Sequence, residues 1–194
     1  MNFLGHLHLA DVSNSSLLGN LLGDFVRGNP DGLFNDEVTK GIRLHRFIDS
    51  FTDSHSSIVQ IKPLFGAYRR FSPIALDVFW DHCLIHHWDE FHSQPLEHFF
   101  SKAKLATHPD SVEFDLPEQY QRVIRSMWDS EWIASYQELD NVGYALSRMS
   151  MRSPRMAPLA QCFKTLQQHY SELDQVFVDF YPDVIDAVTQ SKLK

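Results

Sequence analysis

Apolar residues recur at helical spacing over most of this chain, and no run of four or more residues alternates with β-branched enrichment in the manner of a strand. Residues 3 to 10 are apolar with His6 and His8 interleaved, which fits a short helix or an extended segment. Leu17 to Val26 reads as a helix, with Leu17, Leu18, Leu21, Leu22 and Phe25 on its apolar face, and Gly28-Asn29-Pro30-Asp31-Gly32 ends it. Asn35 or Asp36 can cap the next helix, which runs to about Thr52. Ser54 to Ser57 breaks the pattern, and a helix of about ten residues follows to Arg70. Ser72-Pro73 is a cap followed by proline at the first helical position, and that helix runs through Trp88. Further helices are predicted from Pro95 to about His108, from Pro117 to about Tyr136 after a loop at Asp110 to Asp115, and from Asn141 to Met151. Arg152-Ser153-Pro154 closes the last of these. A long one runs from about Ala157 to Tyr181, and Pro182 begins the last turns. The expected architecture is all-α, with eight or nine helices in a single domain spanning 1–194, without internal repeat or linker.

Two stretches inside Gly41 to Trp88 stand apart. His45, Asp49 and Asp53 recur every four residues; Asp77 and Asp81 do the same, with His82 following. Residues four apart share a helix face. The neighbours Leu44, Phe47, Ile48, Phe51, Leu76, Phe79, Trp80 and Cys83 favour burial, and a carboxylate row among them is costly without a positive partner. A divalent cation is the obvious one. At about 1.5 Å rise per residue, His45 and Asp49 lie about 6 Å apart along the axis and can share one ion, whereas His45 and Asp53 lie about 12 Å apart and cannot. Asp53 then serves a second ion, orients the site, or caps the next segment. Asp24 falls near a helix C-terminus, where the macrodipole disfavours an anion; by itself this, like a lone His6 in an apolar segment, carries little.

Composition narrows the class. Nine of the 11 histidines fall in the first hundred residues, which places any chemistry there. His86, His87, His92, His98 and His108 read as surface or packing residues. Cys83 and Cys162 are too few for a disulfide framework or a thiolate metal site, and a cytoplasmic location fits. Carboxylate and imidazole without thiolate suit manganese, magnesium or iron better than structural zinc. The net charge of −8 argues against a general nucleic-acid binder. No apolar run is long enough for a membrane span, and the N-terminal stretch reads as folded protein rather than a secretion signal.

Several segments together resemble the acyl carrier protein phosphodiesterase family: Asn2-Phe3-Leu4 with His6-Leu7-His8-Leu9-Ala10; Gly19-Asn20-Leu21-Leu22 with Asp24-Phe25-Val26-Arg27-Gly28; His45-Arg46 with Ile48-Asp49 and Thr52-Asp53; Pro73-Ile74 with Leu76-Asp77-Val78 and Trp80-Asp81-His82; His87-Trp88; Arg152-Ser153-Pro154-Arg155; and Phe180-Tyr181-Pro182. The resemblance implies an all-helical, HD-domain-like, manganese-dependent enzyme that hydrolyses the phosphodiester between 4′-phosphopantetheine and a serine of holo acyl carrier protein. Standard HD enzymes read His-Asp where this chain reads Asp81-His82, so their ligand scheme does not transfer directly. On this reading His6, Asp24, His45, Asp49 and Asp81 hold one or two divalent ions, with Asp53 and Asp77 as further candidates. Arg46 stabilises charge on phosphorus, and His82 is the general acid, with metal ligation as its rival role. Arg69-Arg70 is expected to meet the acidic partner, with Arg148, Arg152 and Arg155 as a second patch. The alternatives are a phosphohydrolase acting on a nucleotide or another small phosphoester, and a non-catalytic helical module whose Asp and His residues scatter in space.

Overall fold

A computed structural model describes residues 1–113, 115–191 and 193. It contains α1 (Phe3–Val12), α2 (Leu17–Leu22), α3 (Asp36–Ser54), α4 (Ser56–Ile61), α5 (Ser72–His86), α6 (Trp88–Phe91), α7 (Leu96–Thr107), α8 (Glu118–Asp129), α9 (Trp132–Ser135), α10 (Leu139–Ser150), α11 (Cys162–Gln168) and α12 (Tyr170–Gln190), with 3₁₀ segments at Lys62–Phe71, Pro109–Ser111 and Pro154–Gln161. No strand occurs among the described residues, so the chain is all-α as its pattern predicts. Buried apolar side chains from Met1 to Val188 form one cluster.

Side-chain caps set the starts of α2 and α3. Ser16 Oγ accepts from Gly19 N–H at the head of α2, and Asn35 Oδ1 accepts from Val38 N–H at the head of α3. α5 starts at Ser72-Pro73, but Ser72 is its first residue rather than its cap: Phe71 holds the N-cap position without a side-chain cap bond, and Ser72 Oγ donates to the Arg69 carbonyl. α5 is buried on nearly every side, through Leu76, Val78, Phe79, Trp80, Asp81, His82, Cys83 and Leu84. α12 supplies Phe177, Phe180 and Tyr181 to an aromatic core with Trp80 and Phe91.

Where the elements differ from expectation, a local cause is visible. Residues 3–10 form a helix rather than an extended segment. α2 stops at Leu22 instead of Val26, because Gly23 begins a turn that packs on α3. The segment expected to be helical up to Arg70 splits into α4 and a 3₁₀ stretch, broken at Gly66 with φ +50°. The Pro117–Tyr136 helix divides at Glu131, which has φ +52°. The 157–181 helix is three elements, with Pro158 inside a 3₁₀ segment and a break at His169. α12 passes through Pro182 and continues to Gln190. Burial of Tyr181, Val184 and Val188 on both sides of the proline outweighs its lost hydrogen bond, about 3 kcal/mol in an exposed helix. Phe114, within the expected Asp110–Asp115 loop, lies outside the described residues.

One helix pairing positions everything that follows. α2 and α3 cross in backbone contact at Gly19 and Gly41: a Cβ on Gly19 would meet Val38 O at 2.3 Å, and one on Gly41 would meet Ser16 O at 2.9 Å. One helical turn beyond that crossing come Gly23 on the α2 side and His45 on α3.

Candidate metal centre

His45 and Asp49 stand one turn apart on α3, and His6 approaches them from α1. One ligand atom from each of His6, His45 and Asp49 lies within 4.8 Å of the others. His45 Nε2 is 3.2 Å from Asp49 Oδ2, and His6 Nε2 is 3.1 Å from Asp49 Oδ1. Asp24, in the turn after α2, places Oδ1 3.5 Å from His45 Nε2. The two imidazoles stack with centroids 3.9 Å apart. Thus four of the five candidate ligands come together, from three separate segments.

Gly23 makes that approach sterically possible. A Cβ there would stand 2.2 Å from His45 Cγ and 2.6 Å from His45 Cβ. His45 Nδ1 is buried without a hydrogen-bond partner among the described residues, so its ring is oriented by packing against Gly23 and by stacking on His6. Gly23→Ala is therefore expected to push the His45 ring off its position. Overpacking of this kind costs about 1–3 kcal/mol, and the bound-metal content of the variant should fall far more than its helix content, as metal analysis beside circular dichroism will show.

The electrostatics are those of a site built for positive charge. Burial raises the Asp49 carboxyl by itself, but the His45 and His6 imidazoles beside it more than offset this and hold it well below the usual range. Burial lowers His45, and Asp24 and Asp49 overcome it, leaving His45 at about 9. His6 goes the other way: burial, then the neighbouring His45, lowers it to about 4. Asn20 Oδ1 lies 3.0 Å from His6 Nδ1 and accepts its proton. In that tautomer the Nε2 lone pair of a neutral His6 faces an oxygen of Asp49. Two acceptors at that distance repel, and a cation bound by both removes the conflict. The residues therefore fit a divalent ion with imidazole and carboxylate donors.

The other expected residues are placed differently. Asp81 is fully buried, and its two carboxylate oxygens accept from Leu4 N–H at 3.0 Å and Gly5 N–H at 2.9 Å. It thus caps α1 from another helix, where Asn2, the residue at the N-cap position, makes no side-chain cap bond. Burial pushes its carboxyl up to about 7, against the two N–H groups. Asp77 accepts from the Met1 amino group at 2.6 Å, and that nitrogen lies 3.7 Å from Asp49 Oδ1. Arg46 donates to the carbonyls of Gly28 and Val26, both at 2.7 Å. Its guanidinium thus braces the turn that carries Asp24, with two of its five N–H groups engaged there. His82 has Nδ1 2.7 Å from Tyr136 O and Nε2 2.9 Å from Tyr170 Oη, so both nitrogens are occupied on the side of α9 and α12. Asp53 is exposed, and its carbonyl accepts from Lys62 Nζ. The sequence reading missed Asn20 and Gly23. A polar Asn20 inside the apolar run Leu17–Leu22 was the available signal for the first.

The fold and this cluster define an all-helical protein with a carboxylate–imidazole centre suited to divalent-ion chemistry. Comparison with known proteins supplies the particular family. A family model described as acyl carrier protein phosphodiesterase matches residues 1–184. Proteins named acyl carrier protein phosphodiesterase are similar over the whole length: that of Pectobacterium atrosepticum is 43% identical, covering 100% of both chains. Those of Yersinia pestis and Photorhabdus laumondii are 42% and 40% identical, covering 95% and 96% of this chain and 96% and 94% of their own. No solved structure matches. The chain belongs to the acyl carrier protein phosphodiesterase family, a family of phosphodiesterases. Among the described residues no helix is long and apolar enough to cross a membrane.

Proposed function

We propose that this protein uses a divalent cation to hydrolyse the phosphodiester joining 4′-phosphopantetheine to the serine of holo acyl carrier protein, leaving apo acyl carrier protein. The observation that carries this reading is the convergence of His6, His45 and Asp49 in a chain of this family. Their donor set suits Mn2+, Mg2+ or Fe2+, and the family resemblance favours Mn2+. When bound in such a site, the ion lowers the pKa of a coordinated water and withdraws charge from phosphate oxygens.

The chain's own residues prepare the site. Asn20 fixes the His6 tautomer so that Nε2 is the free donor. α3 presents His45 and Asp49 from one face. Arg46 and Gly23 hold the Asp24 turn against His45. Asp81 seats the first turn of α1, and with it His6 one turn on. A non-catalytic module would scatter these side chains, whereas here three segments bring four of them together. The buried free thiols of Cys83 and Cys162 support a cytoplasmic location.

Mass measurement on holo acyl carrier protein tests the reading. With Mn2+ present, the carrier should lose the mass of 4′-phosphopantetheine, and the freed group should appear in solution. A chelator should stop the conversion and fresh Mn2+ should restore it. Cleavage of nucleotides or small phosphoesters with the holo carrier left intact would replace this reading by the other phosphohydrolase.

A further inference from the structure

The arginines that the sequence separates by about eighty residues fall on elements that pack together. The 3₁₀ segment Lys62–Phe71 carries Arg69 and Arg70; it packs on the 3₁₀ segment Pro154–Gln161, on α11 and on α5. The Pro154–Gln161 segment packs in turn on α10. α10 and its C-terminal turn carry Arg148 and Arg152, and Arg155 follows at once. All five arginines are exposed. Asp140 is the one acidic residue in 62–71 and 139–168, where Lys62 and Lys164 add to the five arginines. The remainder of a chain of net charge −8 is correspondingly acidic. Of the five arginines elsewhere, Arg43 pairs with Asp31 and Arg125 with Asp110. Among the described residues, none of the five on this surface has a carboxylate within ion-pair distance.

The same surface shows apolar anchors. Tyr144 and Met151 are exposed, at 63% and 70%, and both lie on the α10 side of the arginines. Arg148 lies over the Tyr144 ring at 5.9 Å. Arginine, tyrosine and methionine are the residue types enriched in protein interfaces. A path also leads from this surface toward the metal centre. Tyr136 lies within electrostatic reach of both Arg152 and Asp81, and Asp81 seats α1, the helix that carries His6.

We propose that Arg69, Arg70, Arg148, Arg152 and Arg155, with Tyr144 and Met151, form one continuous docking face for an acidic protein. On the function proposed above, that protein is the acyl carrier protein. Two bodies of negative net charge repel at long range, so productive encounter requires the local basic surface to face the partner. The two arginine groups act as one patch rather than as a near and a far contact.

The test uses the full chain and apo acyl carrier protein, which lacks the scissile group and so reports docking without turnover. Binding is followed by nuclear magnetic resonance titration of isotopically labelled carrier at low and high salt. The wild type should bind, and salt should weaken it. Arg69→Glu/Arg70→Glu and Arg152→Glu/Arg155→Glu should each raise Kd by roughly tenfold or more. Lys40→Glu/Arg122→Glu, the same charge change at exposed positions on α3 and α8, should change Kd by less than about twofold. The face is refuted if the wild type does not bind, if only one arginine pair matters, or if the control pair weakens binding equally. Turnover of holo carrier, measured in parallel, separates this from failure of the function. Hydrolysis with undiminished binding in the arginine variants removes the face alone. Salt-sensitive docking without hydrolysis removes the phosphodiesterase reading and leaves the face.

Discussion

Asp49→Ala and His45→Ala are each expected to lower hydrolysis of holo acyl carrier protein by at least about a thousandfold, because each removes a donor on which the proposed ion depends. Helix content should stay near that of the wild type. Asp49 is partly exposed and makes polar contacts with His6, His45 and the Met1 amino group, so its loss removes polar contacts but little packing. His45 is buried on α3, and His45→Ala leaves a void beside Gly23; its effect on stability should be the larger of the two. His45→Gln, which keeps bulk, separates the void from the lost donor: it should recover stability but not turnover. Wild-type turnover in either alanine variant, with metal retained, would remove that residue from the ligand set.

Asp81→Ala is expected to be strongly destabilising, at about 3 kcal/mol or more. The aspartate accepts from both Leu4 N–H and Gly5 N–H in a fully buried position. Its removal strands two backbone donors, at about 1–3 kcal/mol each, and no side-chain cap on α1 takes over. Against a total stability of about 5–15 kcal/mol, this is a large loss. Asp81→Asn offers one acceptor in place of two and should fall between. Thermal denaturation monitored by circular dichroism measures both. A metal ligand without a structural role would instead leave the melting temperature of the metal-free protein unchanged. Activity should fall in step with the folded fraction, since Asp81 acts on the site by seating the helix that carries His6.

The all-α class and most helix starts were legible because caps, prolines and apolar spacing are local: Asn35 and Pro73 act within one turn of where they stand. Helix ends were less so. Gly23, Gly66 and Glu131 stop or kink elements for reasons of tertiary packing or backbone conformation that periodicity does not register. In the site, the i,i+4 pair His45 and Asp49 was readable because helix geometry alone puts both on one face. Asp77 and Asp81 share that spacing, yet they serve the Met1 amino group and the backbone of α1. Nothing in the spacing of two carboxylates says whether the positive partner is an ion or a ring of N–H dipoles, because both satisfy a buried anion. Arg46 gives a related lesson: its place beside His45 does not announce that it also braces the Asp24 turn through two carbonyls.

The central claim is that His6, His45 and Asp49 hold a divalent ion, and paramagnetic resonance of Mn2+ tests it most directly. Free aqueous Mn2+ gives a sharp signal that fades on binding. Titrating wild-type protein into Mn2+ should remove the signal, and Asp49→Ala at the same concentration should leave it. A full free-ion signal in the presence of the wild type, or equal loss with the variant, would contradict the account.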